Sequence, residues 1–352
     1  MFKAVISADL HFTVNGQAPD SIVPMIRECE RAMTAFVSNV IRIHPDVLIL
    51  LGDLTLGGRD RDTIPFARHL DRLRKAEIPM ILLPGNHEFD QGTAETFKKL
   101  YFPYLIMETR DPASLSYTRS FGNLTFLCMD DSSADPSGYL GEETMNWLQE
   151  SLSAIRAKGN IPIFLSHHNV LRDEWIYHPD TYRITAVDLE KVLKEYRVPV
   201  IFSGHQHFPA IRSGSGLQEI VVPMPWMPKQ RFGLFTIEDN VLNYQLMPVA
   251  FPLVFEQVVR EKNLMARKNR QEIFTSIFAK KHVSAEKYLP VINAWFDAYE
   301  SGRLHESRAA IKAMPHYDSM MRLMQDNPYG LWFGALMKEE ALDDCRATVT
   351  IS

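Results

Sequence analysis

Five short polar clusters hold the side chains that could do chemistry. They are Asp9-Leu10-His11, Gly52-Asp53, Gly85-Asn86-His87-Glu88, His167-His168-Asn169 and Gly204-His205-Gln206-His207. Carboxylate oxygens, imidazole nitrogens and an amide oxygen are hard-to-borderline donors. Such a mixed set suits Mn, Fe or Zn ions rather than a thiolate-rich structural site. The cysteines stand apart from this pattern. Cys29, Cys128 and Cys345 are odd in number and widely spaced, which reads as reduced, mostly structural thiols.

The clusters follow apolar runs. Phe2 to Ala8, Val47 to Leu51, Met80 to Leu83, Ile161 to Leu165 and Val198 to Phe202 each stop just before one of them. These runs read as strands, and in open α/β sheets sites form beyond the carboxyl ends of strands. Five strand ends delivering nitrogen and oxygen donors to one rim make a metal centre the economical reading. An extended backbone would send Asp9 and His11, two residues apart, in the same direction. Between the first two runs, Met25, Cys29, Met33, Phe36, Val40 and Ile43 recur at three- and four-residue steps. They predict an amphipathic helix capped at Ser21, with Pro24 in its first turn and Pro45 as its stop. Further helices are expected over Thr63 to Lys75 and Thr93 to Leu100. Strand, helix, strand in this order gives an α/β fold class.

The order D-x-H, G-D, G-N-H-E, H, G-H-x-H resembles the calcineurin-like metallophosphoesterase superfamily, over Asp9 to His207. The resemblance implies a four-layer α/β/β/α sandwich that holds two divalent or trivalent metal ions. It assigns Asp9, His11 and His207 to the first ion and Asn86, His167 and His205 to the second, with Asp53 bridging. It makes a water or hydroxide between the ions the expected nucleophile on phosphorus. It places His87 near the phosphate, as electrostatic stabiliser or as proton donor to the leaving oxygen, with Glu88 orienting His87 or a ligand imidazole. Of His167 and His168, the family stretch uses the first. That stretch often continues His-His-Pro; Asn169 here departs from it, which bears on the substrate wall rather than on the metal site. Asp130, Ser132, Gly138, Leu140, Trp147 and Leu148 fit a run seen in phosphodiesterase members, the class III cyclic-nucleotide branch among them. These six read as scaffold. The implied activity is a phosphodiesterase on a small substrate, a cyclic nucleotide or glycerophosphodiester. A phosphomonoesterase (protein phosphatase or nucleotidase) and a non-catalytic scaffold are the alternatives.

The polar and aromatic stretch after Asn169 leaves the fourth cluster, so Arg172 and Trp175, with His168, are candidates for a substrate wall. Gly122-Asn123 reads as a hairpin turn. The β-rich runs from Ala210 to Met247 suggest a second sheet closing the domain. They are interrupted by Pro223 to Pro228, where Trp226 reads as packing. A catalytic domain over 1–250 is expected, then a helical domain over 251–352 serving as lid, docking module or homodimer surface, with Arg346 to Ile351 a short strand on a sheet edge. The Met-rich stretch Met314 to Met324 suits a core or a partner surface. His44, His69, His282, His305 and His316 lie outside the motif and read as surface or packing residues.

Composition sets limits. The chain of 352 residues carries a net charge of −5, so no basic excess points to a nucleic-acid groove. No apolar stretch reaches the roughly 20 residues of a membrane span. The short N-terminal run does not read as a signal peptide. A cytoplasmic protein acting on a small-molecule phosphoester is the resulting expectation.

Overall fold

A computed structural model describes residues 1–14, 28–171, 183–214, 216–227, 229–251, 253–338 and 344–351. Ser21, Pro24, Arg172, Trp175 and Pro228 lie outside the described residues. The first sheet begins with three parallel strands, β1 (Phe2–Ser7), β2 (Val47–Leu51) and β3 (Met80–Leu83). Helices α1 (Cys29–Ile43) and α2 (Asp60–Lys75) connect them, and α3 (Ala94–Tyr101) follows with Thr93 as its N-cap. Next come β4 (Thr109–Arg110), β5 (Tyr117–Phe121), β6 (Leu124–Cys128), β7 (Gly138–Tyr139), α4 (Glu142–Ala157) and β8 (Ile161–Leu165). They are followed by β9 (Ile184–Thr185), α5 (Leu189–Glu195) and β10 (Ile201–Ser203). Strands β11 (Ala210–Gly214), β12 (Leu217–Val221), β13 (Arg231–Glu238) and β14 (Val241–Pro248) complete the strand-rich part.

Alternation along the strands builds the layers. On β2, Val47, Ile49 and Leu51 enter the core between the two sheets, while Leu48 and Leu50 face α1, α2 and α3. On the second sheet, Phe126, Ile163 and Leu165 face the same central core. Leu127 and Phe164 face α4 and α5. Both faces of these parallel strands are apolar because the strands are covered on both sides. The result is the expected four-layer α/β/β/α sandwich.

One expectation is corrected. The runs from Ala210 to Met247 do not form a sheet of their own. The first sheet has the order β15-β14-β13-β1-β2-β3, where β15 is Arg346–Thr350, and the second β11-β12-β10-β8-β6-β5-β4. Strand β13 thus extends the first sheet antiparallel to β1, with β14 antiparallel to β13 beyond it, and β12 and β11 extend the second beyond β10. Local alternation gives a strand its two faces but not its partner, so the division between sheets was not visible in the runs themselves.

Beyond β14 the chain turns helical, with α6 (Leu253–Ala279), α7 (Leu289–Glu300), α8 (Leu304–Lys312), α9 (Tyr317–Met324) and α10 (Pro328–Leu336). Their own core holds Phe274, Trp295, Met320, Met324 and Phe333. Strand β15 (Arg346–Thr350) then returns to the outer edge of the first sheet, antiparallel to β14, so the chain crosses back over the division expected at residue 250. No helix among the described residues is long and apolar enough to cross a membrane.

Candidate metal centre

The five polar clusters converge at the carboxyl ends of β1, β2, β3, β8 and β10, though not by the route that strand alternation suggests. Strand β1 ends at Ser7, and Asp9 and His11 are both left-handed, with φ of 56° and 41°. Asp53, His205 and His207 share this conformation, with φ of 49°, 64° and 63°. An L-residue there costs roughly 1–2 kcal/mol, so the surroundings must enforce it. Part of the enforcement is a zip between the first two clusters. Asp9 N donates to Gly52 O at 3.1 Å, His11 N to Asp53 O at 2.8 Å and Phe12 N to Leu54 O at 3.1 Å. Two glycines allow the close approach. A Cβ on Gly85 would lie 2.2 Å from Asp53 Oδ1, and one on Gly52, at φ +89°, would lie 2.6 Å from His167 Nδ1.

The donor atoms fall into two groups joined by one carboxylate. In the first, His11 Nε2 lies 3.0 Å from His207 Nε2, and His207 Nε2 lies 3.7 Å from Asp9 Oδ1. In the second, His167 Nε2 lies 3.2 Å from both Asn86 Oδ1 and His205 Nδ1. Asp53 Oδ2 stands between them, 3.6 Å from His11 Nε2 and 3.4 Å from His167 Nε2. Asp9, His11, Asp53 and His167 are fully buried. The seven residues that the sequence pattern singled out therefore occupy one place.

The calcineurin-like phosphoesterase profile matches residues 2–209. The chain belongs to that family. A dimetal phosphatase from Danio rerio superposes with a TM-score of 0.57 at 16% identity, over 71% of this chain and 97% of that one. Purple acid phosphatase 23 of Arabidopsis thaliana is 21% identical over 49% of this chain. The matched part spans only 43% of that plant protein's length.

A calcineurin-like phosphoesterase is expected to hold two cations, and the donor set tests this. Two donors each about 2.1 Å from one ion, at about 90–110° to each other, lie about 3.0–3.4 Å apart. The His11–His207, His167–His205 and His167–Asn86 separations match that spacing. His167 Nδ1 is 2.7 Å from Leu51 O, which fixes Nδ1 as the N–H and turns Nε2 to the cluster. The charge balance agrees. Burial drives His11 and His205 well below the usual imidazole range and His207 down to about 4, so all three are neutral bases with lone pairs to give. Burial raises Asp9 to about 8 against the pull of His167. Burial would raise Asp53 as well, but His167 and His11 hold it well below the carboxylate range. Burial opposes charge on His167, yet the Asp53 carboxylate lifts it to about 10. Without cations, protons thus gather on His167 and Asp9. The residues present fit a pair of cations.

The neighbouring residues divide by what they touch. His87 is 28% exposed at the mouth, its ring 4.8 Å from that of His11, and its Nδ1 meets Asp90 Oδ2 at 2.7 Å. Burial lowers its proton affinity, but Asp53 and Asp90 more than reverse this. Glu88 corrects an expectation, because its hydrogen bonds go to backbone and hydroxyl rather than to an imidazole. Oε1 accepts from Thr55 N at 2.9 Å and Thr55 Oγ1 at 3.3 Å, and Oε2 accepts from Gly85 N at 2.9 Å. It fastens the Asp53 loop to the Asn86 loop, since its side chain points back into the 3-10 turn that starts the cluster. His168 comes within reach of His167 and His205, yet both its nitrogens are engaged elsewhere: Nδ1 with Asp131 Oδ1 at 3.2 Å and Nε2 with Pro136 O at 3.1 Å. Asp90 and Asp131 carried no signal beyond being polar residues in loops, and only the fold shows that each faces a histidine.

Proposed function

We propose that this calcineurin-like phosphoesterase is a dinuclear-metal phosphodiesterase acting on a small substrate, a cyclic nucleotide or glycerophosphodiester. The observation that carries the reading is Asp53 Oδ2, within 3.4–3.6 Å of an imidazole nitrogen from each donor group. Asp9, His11 and His207 would hold one ion, Asn86, His167 and His205 the other, and Asp53 both. When bound, such a pair neutralises phosphate charge and ionises a water at neutral pH. The identity of the ions among Mn, Fe and Zn is left to the donor chemistry, which suits all three.

The chain's own residues supply orientation and a proton. His87, clamped through Nδ1 by Asp90, keeps Nε2 for the substrate at the open mouth. As a cation it stabilises the phosphoryl oxygens, and as an acid it delivers a proton to the leaving oxygen. The left-handed backbone at Asp9, His11, Asp53, His205 and His207 fixes the donors before a ligand arrives. Such preorganisation lowers the cost of ordering them at the moment of reaction.

Support for a diester comes from the Asp130, Ser132, Gly138, Leu140, Trp147 and Leu148 run and from the net charge of −5, which disfavours a polyanionic nucleic-acid substrate. A phosphomonoesterase is the second reading, favoured by the likeness to a purple acid phosphatase. The helical segment α6–α10 would serve as lid, docking module or homodimer contact. The cysteines, odd in number and widely spaced, fit a reducing cytoplasmic setting. The test is hydrolysis of bis-p-nitrophenyl phosphate and p-nitrophenyl phosphate in parallel. Activity should vanish with EDTA and return with Mn²⁺, with the diester preferred. A monoester preference would reverse the choice, and activity indifferent to EDTA would remove the metal reading altogether.

A further inference from the structure

The Pro223–Met227 turn is not part of the donor set, yet it grips the backbone of one donor group at two points. Trp226 Nε1 donates to Leu10 O at 2.7 Å, between Asp9 and His11. Two residues earlier, Met224 N donates to His207 O at 2.9 Å. The turn is closed on itself by Met227 N donating to Met224 O at 3.2 Å. Trp226 is 3% exposed and seated against Phe36 and Phe251, so its indole has little freedom to swing.

We infer that Trp226 is a positioning residue for the metal half-site made by Asp9, His11 and His207; this rests on the dinuclear reading above. Leu10 is fully buried, and the indole N–H is the hydrogen bond its carbonyl receives among the described residues. Removing that N–H leaves a buried carbonyl unpaired, which a protein avoids by moving the backbone. The residues on either side are Asp9 and His11, both left-handed and held there only by their surroundings. The Met224 contact acts on His207, itself left-handed at φ 63°. A single rigid turn thus sets the distance between the two chain segments that face each other at 3.0 Å through His11 and His207. Among the described residues the turn makes no backbone hydrogen bond to Asn86 or His167, which with His205 form the other donor group. Outer residues that orient ligands typically govern affinity by about tenfold to a hundredfold.

The experiment is Mn²⁺ titration of the metal-stripped full-length protein by calorimetry, with Mn²⁺ electron paramagnetic resonance to count bound ions. The variants are Trp226→Phe and, should that variant fold poorly, β-(3-benzothienyl)alanine at position 226, which keeps the indole shape without the N–H. Trp295→Phe, in the helical core where the indole N–H has no partner among the described residues, controls for loss of a buried tryptophan. The wild type and Trp295→Phe should bind two ions. The position-226 variants should keep one ion at wild-type affinity and bind the other about tenfold to a hundredfold more weakly. Two unchanged binding steps in a folded position-226 variant would overturn the positioning role while leaving the dinuclear site intact, as would equal weakening of both. A wild type that binds no Mn²⁺ would overturn both.

Discussion

The Asp90 carboxylate sits 2.7 Å from His87 Nδ1, three residues along the same short turn. That pairing decides which imidazole nitrogen is left for a substrate. It also favours the protonated ring, which is the form able to donate. Asp90→Asn should therefore lower kcat by about tenfold for diesters with an alkyl leaving group, with KM little changed, because proton delivery matters most when the leaving oxygen is basic. With p-nitrophenol as leaving group the loss should be smaller. Steady-state kinetics on the two substrate types, with metal content measured alongside, checks this. An equal loss on both would assign Asp90 to structure alone.

Asp53 touches both donor groups, so Asp53→Asn should disturb both ions at once. Outer residues already cost about tenfold to a hundredfold in metal affinity, and a shared ligand should cost at least about a hundredfold. Elemental analysis after dialysis should find less than one ion per chain, and phosphoester hydrolysis should fall in proportion. Full occupancy with normal turnover would contradict the bridging role.

Glu88→Ala predicts lost stability rather than lost chemistry as its first effect. It removes the acceptor for two buried backbone N–H groups, those of Thr55 and Gly85. Unpaired buried donors cost about 1–3 kcal/mol each. Urea unfolding of the metal-stripped protein should show a drop of about 2–4 kcal/mol, with metal affinity weakened because the Asp53 and Asn86 loops are no longer fastened together. Glu88→Gln, which keeps one acceptor oxygen, should lose roughly half as much.

In the helical segment, Glu300 gives a pH signature away from the metal centre. Burial raises its carboxyl to about 7 against the pull of Arg270, whose Nη1 lies 3.1 Å away. The unfolded chain loses this proton near pH 4.5, while the folded chain keeps it until about 7. Stability from this group is therefore complete below about pH 4.5 and is lost as pH rises to about 7, by at most about 3 kcal/mol. Glu300→Gln cannot titrate, and its stability should change less between pH 5 and pH 8 than that of the wild type. Denaturant midpoints at the two pH values measure the difference.

Much of this was legible in the chain, for reasons that can be named. The ligand-bearing strands are covered on both faces, so they appear as uninterrupted apolar runs, and Met80–Leu83 emerges with the bounds that the pattern predicts. The donors are polar residues placed just past those runs, which makes them conspicuous. Three things were hidden. The pairing of β13 with β1 is a long-range choice that alternation does not encode. The convergence of Asp9 and His11 comes from left-handed backbone, whereas period-two reasoning reached the right pair by the wrong route. Trp226 carries an ordinary core signature, and nothing local says that its N–H ends on Leu10.

Strand β15 closes the open edge of β14 only after helices α6 to α10 have intervened. It delivers Val349 and Ile351 into the core between the sheets. A gene shortened to end after residue 250 would therefore make a chain with a bare, sticky margin and a greasy slot beside it. Such a product should clump with its own copies. Anyone wanting the metal-bearing half without the helices would do better to splice β14 to β15 with a short linker than to stop translation early.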